Sequence, residues 1–162
     1  MSTEDGKEKN RERRKKYSQT EKGKLYNKTY TNRKFKQDIN YKNAKLLRSR
    51  ILKVLKGEVK SVNSLNLLGC SLDELKVHLE QQFEPGMTWD NQGEWHIDHI
   101  IPCSRFDLSN PIHQRICFNY RNLQPLWARD NYKKSDELPE GWEDLLKVIM
   151  DELGISSIVS LK

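Results

Sequence analysis

The stretch EWHIDHIIP, running from Glu94 to Pro102, sets His96, Asp98 and His99 among β-branched and apolar residues. Burying an imidazole or a carboxylate in such a segment is unfavourable unless a partner compensates it. These residue types can ligate a cation or exchange protons near neutral pH. Polar groups recur downstream, with Asn122 in NLQPLW and with Asn131 and Lys134 in ARDNYKK. Each also has a plainer reading. Asp98 and His99 could be a core histidine satisfied by an aspartate, and Asn122 and Asn131 taken singly read as cap or turn residues. A second set, His96, Cys103, His113 and Cys117, has zinc-ligand residue types, with His113 and Cys117 four apart on one helix face. Its other two members lack paired spacing, and the two cysteines read better as small buried residues. His78 has no partner at helical spacing and reads as a packing or surface histidine.

The elements that position these groups follow from periodicity. Ala44, Leu47, Ile51 and Leu55 recur at three- and four-residue steps, which predicts an amphipathic helix over about 41–56, ended by Gly57. Its other face presents Lys42, Lys45, Arg48, Lys53 and Lys56. Ser71-Leu72-Asp73-Glu74 is a capping box, and Leu72, Leu75, Leu79 and Phe83 form the stripe of the helix it starts, which Pro85-Gly86 stops. Strand character begins near Trp95. Ser109 or Asn110 caps, and Pro111 opens, a short helix to about Tyr120. NLQPLW reads as a brief strand whose Pro125 excludes a central ladder position. Helices are expected from Ala128 to about Glu137 and from Trp142 to Leu153. Trp89, Trp95 and Trp127 read as core. Successive strand residues face opposite ways, so a regular strand cannot aim Asp98 and His99 at one point. A shared site must lie at the strand edge, or a bulge near His99 must turn one of them. The same alternation puts His96 on the face of Asp98.

Charge divides the chain. The first 60 residues carry 20 basic against 7 acidic groups and the remaining 102 carry 9 against 16, so a +13 segment is joined to a −7 segment. Residues 1–24 have almost nothing to bury and are expected to be disordered in isolation. From Tyr26 to Phe35 aromatic and basic residues interleave, the pattern of a nucleic-acid-binding arm. The expected organisation is a basic arm with its amphipathic helix over 1–60 and a folded domain over 61–162. No run approaches the roughly 20 apolar residues needed to cross a bilayer. No secretory leader is visible, and three widely spaced cysteines without a C-x-x-C pair fit a reducing, intracellular setting.

HIDHIIP followed by NYRNLQPLWARDNYKKS resembles the HNH endonucleases, in particular the zinc-free variety of phages and large DNA viruses. The specific core match spans about Trp95 to Ser135, and LLGCSLDELKVHLEQQFEPGMTW resembles the segment leading into it. The resemblance implies an α+β protein with a ββα-metal core over 95–137, flanking helices and the basic, partly disordered arm. It makes His99 the general base, Asp98 and Asn131 ligands of one divalent ion, and Asn122 the residue that braces the loop and the base, an H-N-N variant of the motif.

A neutral imidazole can take a proton from water near physiological pH. One carboxylate and one carboxamide oxygen leave positions for water and phosphate, which suits magnesium or manganese. His96 is either a further metal or phosphate contact or a brace. Lys134, one turn after Asn131, is placed to hold phosphate, and Lys133, Arg129, Arg121 and Arg105 are candidates to touch the backbone. The expected function is hydrolysis of phosphodiester bonds in DNA, double-stranded by preference. Two alternatives stand beside it: a non-catalytic nucleic-acid-binding protein using the same fold as a scaffold, and a nuclease directed at RNA.

Overall fold

The structure, a computed structural model, describes residues 4–56, 62–156 and 161. It divides into two compact units, Met1–Lys42 and Asn43–Lys162. The division falls earlier than residue 60 because the apolar face of one helix, with Ala44, Leu47 and Ile51, joins the core of the second unit. Gly57, expected to end that helix, lies outside the described residues.

The first unit is helical, including the stretch to residue 24 for which disorder in isolation is expected. It holds α1 (Glu4–Gln19) and α2 (Glu21–Gln37). Glu, Lys, Arg and Gln lose little side-chain freedom in a helix, so a charge-dense segment can be helical without a core. Thr20 caps α2, its hydroxyl accepting from the Gly23 N–H at 3.0 Å. A Cβ on Gly23 would sit 2.0 Å from the Tyr17 carbonyl oxygen, so only glycine admits this approach. Along α2, Tyr26 stacks on Tyr30 at 6.4 Å, and Lys34 and Arg33 lie 5.7 and 5.9 Å from the Tyr30 ring. Basic and aromatic side chains thus share one exposed strip.

The second unit is α+β. Among the described residues its helices are α3 (Ile39–Leu55, from Asn43 onward), α4 (Val62–Leu68), α5 (Leu72–Glu80), α6 (Pro111–Cys117), α7 (Ala128–Lys134) and α8 (Trp142–Glu152). Strands β1 (Trp95–His99) and β2 (Leu123–Trp127) pair antiparallel, from Trp95 opposite Trp127 to His99 opposite Leu123. Among the described residues the sheet has two strands, so Pro125 needs no second ladder partner. α7 follows β2 directly. The core gathers Leu47 and Ile51 of α3, Leu75 and Leu79 of α5, Phe106, Phe118 and Ile149. Trp95 is fully buried, donates to the Thr88 carbonyl at 2.7 Å and meets Phe83 and Trp89 edge-on. α8 ends at Gly154, whose φ of +66° favours glycine. No described helix is long and apolar enough to cross a membrane.

The capping box of α5 is formed: Ser71 Oγ accepts from Glu74 N–H at 3.2 Å, and the Glu74 carboxylate accepts from Ser71 N–H at 2.7 Å. Ser71→Ala should lower stability by about 1 kcal/mol in denaturant titration. The backbone hydrogen bond from Ser71 holds the Glu74 pKa below its ordinary value. A lowered carboxylate pKa stabilises the fold above the unfolded value, and that contribution fades as pH falls through the folded one.

Candidate active site

The β1 ladder stays regular through His99, so no bulge re-aims it. Trp95, Ile97 and His99 share the core-facing side of the strand, and His96 and Asp98 share the other. His99 is only 3% exposed, and its ring meets Phe118 edge-on at 4.8 Å. Both ring nitrogens are buried, and among the described residues neither has a partner at ordinary hydrogen-bond geometry, the Cys103 thiol being the ring's polar neighbour.

On the opposite side, helix α7 runs against the strand in two rungs. Asn131 Nδ2 lies 3.4 Å from His96 Nδ1. Lys134 Nζ lies 2.7 Å from Asp98 Oδ2 and also donates to the His99 carbonyl, while Gln124 donates to the same Oδ2 at 3.2 Å. Strand residues two apart therefore meet helix residues three apart, a match that the two periodicities allow. The Lys134–Asp98 pair is largely shielded, its side chains 17% and 12% exposed. Breaking one side of such a pair is unfavourable.

A cleft of about 430 Å³ is bordered by His96 and Asp98 from one strand face and by Trp95, Ile97 and His99 from the other. It therefore runs along β1, with the polar groups of His96 and Asp98 on one side and the His99 ring, its nitrogens buried, on the other. Asn131 closes it from α7, and Arg48 and Lys56 border it from α3 and its end. The basic face of α3 thus faces the same cleft as the strand's polar groups.

The donor types on this strand face are those that a hard divalent cation prefers. Both hydrogen bonds to Asp98 fall on Oδ2. Among the described residues, neither Asp98 Oδ1 nor the Asn131 amide oxygen has a hydrogen-bond donor. One anionic and one neutral oxygen, with the His96 imidazole beside them, leave room for water and phosphate.

The remaining expected residues are distributed as follows. Asn122 is fully buried; its Oδ1 accepts from Ile101 N–H at 2.7 Å, and its Nδ2 donates to the carbonyls of Ile101 at 3.1 Å and Cys117 at 2.8 Å. It braces the turn after β1 and makes no hydrogen bond to His99. Lys134, expected on phosphate, is held by Asp98. Lys133 pairs with Asp130 at 3.1 Å, Arg105 donates to the Asp136 carbonyl at 2.9 Å, and Arg121 pairs with Glu152, whereas Arg129 is exposed. His78 packs edge-on against Tyr120 and contacts the Leu123 carbonyl at 2.9 Å.

The four-residue zinc set is not assembled. His113 Nδ1 accepts from Asp107 N–H at 3.0 Å, and His96 lies on the other strand face. Instead His99, Cys103 and Cys117 converge, their ligating atoms all within 4.8 Å of one another. Cys117 donates to Cys103 Sγ at 3.4 Å, and Arg48 Nη2 approaches the same sulfur at 3.4 Å. The hydrogen bond from Cys117 lowers the Cys103 pKa well below its usual value against its burial, with His99 and Arg48 adding to the effect. Burial drives the Cys117 pKa up. The contacts of Arg48 with Cys103 and of Gln124 with Asp98 were not expected from the sequence. The basic face of α3 was the signal for Arg48, and the i, i+2 alternation in β1 and β2 could have paired Gln124 with Asp98.

No family model matches the chain, and no solved structure does. Two proteins of Acanthamoeba polyphaga mimivirus, both described only as uncharacterized, are similar to it. One is 39% identical over 106 residues, 65% of this chain and 47% of the relative. The other is 39% identical over 113 residues, 69% of this chain and 49% of the relative. The chain thus spans about half the length of the curated relatives it matches.

Proposed function

We propose that this chain is a metal-dependent endonuclease of the HNH type, with β1, β2 and α7 as its ββα-metal core, and that it hydrolyses phosphodiester bonds in DNA. One observation carries the reading: along a single strand edge, a carboxylate, a carboxamide, two imidazoles and two cationic groups from α3, β1 and α7 border the same cleft. A binding scaffold needs neither an open carboxylate oxygen nor an uncommitted buried imidazole. The viral source of the two relatives agrees with the resemblance.

Asp98 Oδ1 and the Asn131 amide oxygen would hold the divalent ion, magnesium or manganese, with His96 adjacent. When bound, that ion neutralises charge developing on the phosphate oxygens. Arg48 and Lys56 draw the phosphodiester into the cleft and offset its repulsion of the nucleophile. His99, with neither nitrogen in an ordinary hydrogen bond, takes the proton of a water admitted at the strand edge. Phe118 keeps its ring oriented, and Lys134 and Gln124 fix the Asp98 carboxylate by its other oxygen.

The test is nicking of a supercoiled plasmid by the full chain with magnesium, with manganese and with EDTA. Divalent-dependent conversion to open circles supports the reading. Stable DNA binding with no cleavage under any of the three conditions would leave the scaffold reading in its place, and a parallel RNA substrate tests the nucleic-acid preference.

The basic strip of the first unit supplies sequence-independent affinity through counterion release. Arg13, Arg14, Lys15 and Lys16 are all exposed on α1. Replacing all four with Gln should make log K against log salt shallower, by about 0.9 for each phosphate no longer neutralised. The affinity loss is then larger at low salt than at high salt. A parallel displacement with unchanged slope would assign the four residues a structural role.

A further inference from the structure

We propose that His99, Cys103 and Cys117 form a second metal site, one that captures a thiophilic cation of the zinc class. Two cysteine sulfurs and an imidazole converge in one buried pocket, with ligating atoms within 4.8 Å of one another. His99 is 3% exposed, and neither of its nitrogens has an ordinary hydrogen bond. A buried imidazole with no ordinary hydrogen-bond partner among the described residues is uncommon, and its lone pair is available to a cation.

The spacing suits a tetrahedral ion. Zinc at about 2.3 Å from each of two thiolates holds the sulfurs about 3.7 Å apart. Here they are 3.4 Å apart, a short adjustment away. The donors also select the metal. Two thiolates and an imidazole favour zinc, cobalt or cadmium over magnesium, which prefers the oxygen donors on the other strand face. Both cysteines bind as thiolates, so the dication and two thiolates make a neutral centre, and the Arg48 guanidinium is poised to hydrogen-bond the Cys103 thiolate. His99 borders the cleft whereas neither thiol does, so the cation reaches the sulfurs past the imidazole.

The site has a functional consequence that rests on the nuclease reading. An imidazole bound to a soft cation has lost the lone pair that would take a proton from water. Thiophilic metal then inhibits cleavage that magnesium supports, from ligands that magnesium does not use.

The test uses the full chain kept reduced with a phosphine, and its first arm needs no catalysis. One equivalent of cobalt should produce a sulfur-to-cobalt charge-transfer band and the visible bands of a tetrahedral ion, both removed by one equivalent of zinc. Cys103→Ser and Cys117→Ser should each keep at most half of the charge-transfer intensity, while Cys70→Ser and Asp98→Ala keep all of it. X-ray absorption of the zinc-loaded wild-type chain guards against variants that fail to fold: two sulfurs at about 2.3 Å and a nitrogen at about 2.0 Å are expected. Zinc surrounded by nitrogen and oxygen alone, or a charge-transfer band unchanged in Cys103→Ser, overturns the site. In the second arm, one equivalent of zinc should suppress magnesium-dependent nicking in wild type and spare it in Cys103→Ser. Thiolate binding without any nicking refutes the nuclease reading and leaves the metal site standing.

Discussion

His99→Ala is expected to slow magnesium-dependent nicking by about 10²–10⁴-fold, the usual worth of a positioned general base. The loss should be in turnover, with DNA affinity unchanged, because Arg48, Lys56 and the basic strip of the first unit remain. Truncation also leaves a cavity beside Phe118, so the rate must be measured well below the melting temperature of the variant. Added imidazole separates chemistry from structure. The cavity adjoins the cleft, so free imidazole can enter it and restore part of the rate, with a dependence on pH that follows its own titration. Undiminished nicking by His99→Ala would reject the base, and a loss that imidazole cannot rescue would make His99 a packing residue.

Asp98→Ala makes a useful contrast. It removes the carboxylate and strands Lys134 in a shielded site, so it should abolish divalent-dependent nicking at any magnesium concentration, and imidazole should not help. The two variants therefore fail differently, one in proton transfer and the other in ion binding. Calorimetric titration with manganese checks the second: Asp98→Ala should show no binding at concentrations that saturate His99→Ala.

Much of the positioning was legible because it depends on local rules. Leucine spacing with a capping box forecast α5, and Pro111 after a capping asparagine forecast α6; both start within a residue of expectation. Alternation in β1 correctly separated His96 and Asp98 from His99. What escaped depends on long-range contact. Lys134 shares a helix face with Asn131, as expected, but the carboxylate it meets comes from β1, 36 residues away. The Cys103–Cys117 contact crosses α6, and Arg48 arrives from α3, a separation that no spacing argument reaches. The helices of the first unit went unforecast for another reason. Low hydrophobicity argues against a core, but it does not argue against a solvated helix.

Asn122 is where the largest stability effect is expected, and its cause is topological. The chain must turn sharply after His99 to enter the segment that carries Cys103 and α6. Ile101 at that turn is fully buried, where neither its N–H nor its C=O can reach water. The Asn122 carboxamide serves both, accepting from one and donating to the other, while its second N–H serves the Cys117 carbonyl. Its own carbonyl accepts from Ile100 N–H at 2.8 Å, which continues the β1–β2 ladder past His99. Asn122→Ala therefore strands three buried polar groups at once, and a loss of about 3–5 kcal/mol is expected. Domains of this size are stable by only about 5–15 kcal/mol, so the melting temperature should fall by roughly 10–20 °C. Asn122→Asp tests whether donation matters as much as acceptance. An ionised carboxylate can accept from Ile101 N–H but faces two carbonyl oxygens with no hydrogen to offer, and burial raises its pKa. The protonated form regains one donor, so this variant should be least stable at high pH and recover as pH falls through the raised value, the reverse of ordinary acid denaturation. A pH-independent deficit equal to that of Asn122→Ala would mean that only the accepted hydrogen bond holds the turn.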